Sequence, residues 1–297
     1  MKKFIALLLA MLMVMSLVAC GAQEEVVEDV TEEVVEETTE EVTEETEETE
    51  EPAIESDLAY ITENGKMLVG ITIYEPMNYY DEAGELTGFD TEFAQAVCDK
   101  MGLAAEFVEI NWDTKEVELA AKSIDCIWNG MTITEDRLAA MSISDPYVKN
   151  AQVIVVKADS ELAATADLVG KTVVAEMGSA GEAQITGEDA NADLAQAEYV
   201  GLAKQTDCLS EVKAGTADAA VLDWTLAKSM VGEGTDFDDL KMVEGVELAT
   251  EEYGIAFRQG SDFTAKVDAA TLELVADGTL PALAEKYGLA LAPAIAG

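Results

Sequence analysis

The chain has no histidine in 297 residues. Histidine-based triads, imidazole zinc sites and histidine pH switches are therefore excluded. Arginine is almost as scarce, with only Arg137 and Arg258 set against 61 acidic side chains. Lysine and arginine together number 17, and the formal net charge is −44. A surface this acidic repels nucleic acid and anionic lipid, so nucleic-acid binding through a basic patch is ruled out. Cysteine occurs four times, at Cys20, Cys98, Cys126 and Cys208. The last three are odd in number and scattered, which favours free buried thiols. A Cys98 to Cys126 bridge stays open, because sequence spacing does not report Cα separation. The acidic run Asp236-Phe237-Asp238-Asp239 lacks the spacing and terminal glutamate of a calcium loop. No cofactor or metal is expected.

Residues 1–20 read MKKFIALLLAMLMVMSLVAC. Two lysines, a short apolar core and small residues before Cys20 meet the requirements of a secretory signal, and the run is short for a spanning helix. Residues 1–19 are accordingly expected to be removed. From Glu24 to Glu51 the chain carries 16 acidic residues, no lysine or arginine and no aromatic ring. Nothing there drives collapse, so residues 20–56 read as an extended acidic tether. The two amino-terminal lysines and these sixteen acids leave a net −30 on residues 52–297.

About 245 residues remain for the folded part. Apolar runs at 67–73, 104–110, 124–128 and 152–157 alternate with helical patterns over 90–101 and 114–122. The pattern restarts with runs at 171–177, 197–202 and 217–223, with one helix following Ser179 and another over 204–213. Such alternation means an α/β fold with mostly parallel pairing. The stretches Glu118–Asp125 and Glu211–Asp218 match in layout, each closing a helix and placing an aspartate before an apolar strand. Their offset of 93 residues carries Asn129 and Gly130 onto Leu222 and Asp223. Two related lobes are therefore expected, with those strand ends facing a cleft. The tail, EYGIAF from Glu252 and then helices over 262–275 and 280–286, should return to the first lobe. That return makes two linking strands and a hinge. The expected partition is lobe 1 over 57–150, lobe 2 over 151–249 and the return over 250–297.

The run Ile124–Tyr147 sets Arg137 just after a polar turn of Asn129, Gly130, Thr132 and Thr134. A planar guanidinium in that position suits a carboxylate, though a surface arginine beginning a helix is the simpler alternative. The segments ELTGFDTEFAQAV, DCIWNGMTITEDR, SDPY, GSAGEA and KAGTADAAVLD, in this order and spacing, resemble the family 3 extracellular solute-binding proteins, which supply amino acids to bacterial ABC importers. The resemblance covers nearly all of residues 66–289. It implies the two-lobed periplasmic-binding-protein-like fold of type II. LVAC followed by glycine resembles a lipobox, which implies that Cys20 is lipidated and holds the protein at the outer face of the cell membrane.

A zwitterion taken out of water needs donors for its carboxylate and acceptors for its ammonium. What the resemblance implies meets that need: the ligand carboxylate on Arg137 and Thr132, with amides at Ser179 and Ala180 from the opposite lobe. The ammonium would lie against Asp223 and the Gly130 carbonyl. Relatives often carry a hydroxyl residue where this chain has Ala180. The resemblance also puts Tyr74 and Trp112 at ring-stacking positions, with core packing as the alternative for both. Glu75, Asn129 and Glu176 remain as polar candidates around the ligand side chain, a weak preference for a polar or cationic amino acid. Asp90 reads as the cap of its helix, and Asp145-Pro146-Tyr147 as a turn.

The expected partners are a free amino acid, a membrane permease and, through Cys20, the lipid bilayer, with the protein itself monomeric. Two alternatives compete. A hydro-lyase on the same fold would need a general acid or base, and without histidine only Asp223 or Glu176 could serve. A sensory module would normally be joined to a transmembrane helix and signalling domain, and none follows Gly297.

Overall fold

The computed structural model describes residues 56–296. The expected signal segment, Cys20 and the acidic tether up to residue 55 lie outside them. Ser56 opens the described chain by capping α1 (Asp57–Asn64), its hydroxyl accepting from the Ala59 amide. The first half continues through β1 (Lys66–Ile71), a small hairpin of β2 (Tyr79–Tyr80) and β3 (Leu86–Thr87), α2 (Phe89–Met101) and β4 (Ala104–Glu109). Then come α3 (Lys115–Ala120), β5 (Cys126–Thr132), α4 (Glu135–Ala140) and β6 (Met141–Ile143). The long strand β7 (Val148–Lys157) leads into β8 (Thr172–Glu176), α5 (Ala180–Thr186), β9 (Glu198–Leu202), α6 (Gln205–Ala214), β10 (Ala219–Asp223) and α7 (Trp224–Met230). A 19-residue strand, β11 (Leu240–Arg258), precedes α8 (Thr264–Ala276) and α9 (Thr279–Tyr287).

The main sheet runs β4-β1-β5-β11-β7-β10-β8-β9, with β6 paired to β11. In each half the first strand lies between the other two. β1 pairs in parallel with β4 and β5, and β8 pairs in parallel with β9 and β10. Strands covered on both faces can be apolar throughout, and every residue of β5 and β10 is buried. The repeated aspartates do the same work in both halves. Asp125 accepts from the Leu68 amide and Asp218 from the Thr172 amide, each at 2.9 Å, fastening the third strand to the first.

The two halves are joined by β7 and β11, which run antiparallel from Leu240 opposite Lys157 to Tyr253 opposite Val148. Beyond that point β11 pairs with β5 and β6 of the first half. This is the two-lobed fold of type II with two linking strands. The apolar pattern shows β11 only from Glu252 onward. Its earlier part is half exposed and broken by bulges between Met242 and Ala249, so no continuous apolar run marks it. The tail packs on the first half: α8 and α9 contact α2, and Lys286 and Tyr287 both bond Glu92.

The reading of Asp90 as a helix cap is corrected. Gly88 occupies the cap position of α2, at φ 123, where a Cβ would lie 2.2 Å from the Met77 carbonyl oxygen. Asp90 is fully buried instead and accepts from the Gly130 amide at 2.7 Å and the Tyr147 hydroxyl at 2.9 Å. Its part is structural, as expected, but it is a long-range tether. Arg258 is equally committed to the frame, bonding Asp57 at 2.8 Å and Asp125 at 3.1 Å. Cys98, Cys126 and Cys208 are free and buried, so the Cys98 to Cys126 bridge is not formed.

Candidate functional site

Where the carboxyl ends of β5, β8 and β10 approach one another, a small, nearly closed cleft lies between the two halves. Its walls include Trp112, Asn129, Gly130, Thr132 and Arg137 from the first half and Glu176, Ser179, Ala180, Gln205 and Asp223 from the second. Asn129, Gly130, Thr132, Glu176 and Asp223 lie at strand ends and the others on the segments just beyond them, because a parallel sheet leaves its crevice outside the carboxyl edge. Among the described residues no group of three or more potential metal ligands is gathered at one point.

Arg137 sits in the first turns of α4, whose cap Thr134 accepts from the Arg137 amide. The guanidinium is buried and donates to the Thr132 carbonyl at 2.7 Å and across the cleft to the Gly178 carbonyl at 3.0 Å. Lys115 joins it there: its ammonium reaches the same Gly178 oxygen at 3.0 Å and the Trp112 carbonyl at 3.1 Å. Burial, then the neighbouring Arg137 charge, brings Lys115 down to about 8. Trp112 lies beneath that ammonium, 4.9 Å from its ring centre. One carbonyl of the second half thus receives two cationic donors of the first. The two walls touch.

Gly130 has φ 56, a left-handed conformation that glycine adopts without strain. Tyr74 explains the need for a bare backbone, since a Cβ at Gly130 would fall 2.6 Å from the Tyr74 ring. Tyr74 itself is not in the cleft wall. Its ring lies buried beneath Gly130, and its hydroxyl bonds Thr225 of α7 and, at 2.6 Å, Tyr253 of β11. Asn129 lines the cleft, but its amide group is taken up by Thr72 and Asn78. Glu75 accepts from Ser229 of α7 at 2.9 Å and lies outside the wall.

On the facing side, Ser179 caps α5 through the Glu182 amide, and its own amide turns to the Glu176 carbonyl at 3.2 Å. The Ala180 amide, in the first turn, has no intrahelical acceptor, and Ala180 lines the cleft. Asp223 is buried and accepts from Asn150 at 2.6 Å, Gln152 at 2.7 Å and Gln205. Burial holds its carboxyl above the ordinary range, against the pull of these donors. Burial, and then the Asp223 charge, pushes Glu176 up to about 8. Glu251, half-buried on β11, is raised to about 7 by the same two causes.

Five polar residues around this site are absent from the sequence reading: Lys115, Asn150, Gln152, Gln205 and Glu251. A signal existed for Gln205, because the 93-residue offset that pairs the two repeats carries Trp112 onto it. Asn150, Gln152 and Glu251 meet only through the crossing strands, and Lys115 arrives from the start of α3.

The sequence profile of the bacterial extracellular solute-binding proteins, family 3, matches residues 67–290. The L-cystine-binding protein TcyJ of Escherichia coli is 31% identical over 239 residues, covering 79% of this chain and 87% of its own length. The arginine-binding extracellular protein ArtP of Bacillus subtilis is 30% identical over 240 residues, covering 76% and 88%. Among solved structures, a mutant of ArgBP from T. maritima is 35% identical with a TM-score of 0.71, covering 78% of this chain and 99% of its own. That protein has also been solved in an arginine-bound form.

Proposed function

The chain belongs to the bacterial extracellular solute-binding proteins, family 3, and from that premise we propose that it captures a free amino acid in this cleft and delivers it to an ABC-transporter permease. The observation that carries the reading is the opposition of charge across one cavity, Arg137 on one wall and Asp223 on the other. The ligand carboxylate takes the guanidinium, with the Ala180 amide closing from the second lobe; the Thr132 hydroxyl joins them only by leaving Glu251. The ammonium takes Asp223 and the Gly130 carbonyl. Removing either charge of the ligand from water without such a partner costs several kcal/mol.

A cationic side chain suits the remaining wall. Glu176 and Trp112 line it, and both ArtP and ArgBP are named for arginine. Residues 57–150 and 250–297 then form one lobe and 151–249 the other, closing through β7 and β11. Capture is non-enzymatic in this reading.

Thermal melting of the protein with each proteinogenic amino acid, cystine and ornithine tests the proposal. A true ligand raises stability by about 2.7 kcal/mol at a hundredfold excess over Kd. Mass analysis of the recovered ligand should find it unchanged; a dehydrated product would favour the hydro-lyase. If none of these compounds moves the melting temperature, the ligand is not an amino acid. We further propose that Cys20 is acylated and anchors the protein at the outer membrane face. Cys20→Ser should then release the protein or leave it unprocessed, and a processed, membrane-held Cys20→Ser protein would refute the anchor.

A further inference from the structure

Glu251 sits on β11 directly opposite Asn150 of β7, at the point where both strands pass between the halves. Its Oε1 accepts from the Thr132 hydroxyl at 2.8 Å, Asn150 Nδ2 at 2.5 Å and Gln152 Nε2 at 2.8 Å. The same two amide nitrogens also donate to Asp223 Oδ1, at 2.6 Å and 2.7 Å. Two carboxylate oxygens bound to one pair of nitrogens are necessarily close neighbours. Like charges that near, out of water, cannot both be ionised without a large cost.

The surrounding charges relieve this only in part. Glu176 at the end of β8 adds a third acid, and Glu116 of α3 acts on Arg137. The phenols of Tyr74 and Tyr253 are held neutral by burial. Lys149 and Glu252 pair backbone to backbone next along the two linking strands. Arg137 is the facing cation and its charge acts on both Glu251 and Asp223, one positive charge for two carboxyls, while Lys115 faces Glu176.

We propose that Asp223 and Glu251 hold one proton between them in the ligand-free cleft, and that Glu251 is a positioning residue. It orients Asn150 and Gln152 toward Asp223 and yields the shared proton to solvent when a ligand ammonium occupies the site. The displacement step rests on the amino-acid-binding reading; the sharing of the proton does not. The raised carboxyls of both residues accord with it. Because Thr132 bonds Glu251, its hydroxyl is also held at the cleft mouth beside Arg137.

The test is a carbon-13 NMR titration of the full chain, labelled at glutamate Cδ, from pH 4 to 9 without ligand. Two glutamates should titrate above pH 6: one lost in Glu251→Gln, the other in Glu176→Gln. Glu251→Gln keeps the acceptor oxygen, and the Glu176→Gln protein, with one such signal left, decides the matter even if Glu251→Gln fails to fold. A mixture of the twenty amino acids and cystine is then added. Where the melting temperature rises, the Glu251 transition should fall by at least one pH unit, with proton release to an indicator dye at pH 7 that Glu251→Gln lacks. No Glu251-dependent transition above pH 6 overturns the shared proton, and a saturated cleft with that transition unmoved overturns the displacement. If no amino acid raises the melting temperature, the amino-acid-binding reading fails, while the ligand-free titration still decides the shared proton.

Discussion

The two halves of the sheet have one strand order and opposite charge at the cleft. β4-β1-β5 ends in a wall bearing Arg137, with Lys115 close behind it, whereas β9-β8-β10 ends in a wall bearing Glu176 and Asp223. The shared part is mechanical. Asp125 and Asp218 fasten equivalent strands, and both third strands are buried throughout. The opposed charges sit at and just beyond the strand ends. A duplicated scaffold thus presents a cation and an anion across a gap, which is what a zwitterion requires.

The largest expected effect comes from erasing the positive wall. Arg137→Ala should weaken binding of the amino acid by about 2 to 5 kcal/mol, with Arg137→Lys in between, because lysine keeps the charge and loses the planar fork. Titration calorimetry on proteins shown to be folded reads this directly. On the negative wall, Asp223→Asn removes the countercharge of the ammonium but keeps a polar group of the same shape. A loss of about 1.5 to 3 kcal/mol is expected. Parental affinity in either variant would mean that the charge on that wall is not used.

The imbalance within the negative wall gives a third test, in the ligand-free protein. Glu176 and Glu251 titrate near 8 and 7 when folded and lower when unfolded. The folded state therefore binds more protons than the unfolded state above roughly pH 4.5. Stability must then fall as pH rises from about 4.5 to 8, by at most about 1.4 kcal/mol per pH unit for one group. Glu176→Gln should flatten that fall in urea melts. A slope identical to the parent's would contradict the buried, protonated Glu176. The smallest effect on binding belongs to Arg258→Ala. It should leave affinity within about 0.5 kcal/mol while costing about 3 to 5 kcal/mol of stability, since it strands the buried Asp57 and Asp125.

These contrasts also separate what the sequence discloses from what it hides. The lobes were legible because parallel strands are continuous apolar runs and because the 93-residue echo survives in both. Arg137 stood out through the scarcity of arginine, and Asp223 through its place in the echo, and both lie at the cleft. Tyr74 shows the limit of alignment to a motif: it came within one residue layer of the cleft, but its ring packs under Gly130. Glu251, Asn150 and Gln152 were illegible for a different reason. They meet only through the antiparallel register of β7 and β11, about a hundred residues apart in the chain, and the alternating, bulged sequence of β11 conceals that strand.

The most direct test of the opposed-wall account compares one ligand with a version of itself that has lost one charge. The amino acid that raises the melting temperature most, and its methyl ester, are titrated into the parent protein and into Arg137→Ala. The account predicts that the ester binds the parent at least about thirtyfold more weakly than the acid, as expected for losing 2 kcal/mol or more, and that Arg137→Ala barely changes the affinity of the ester. An ester that binds the parent as tightly as the acid would show that Arg137 does not hold the ligand carboxylate.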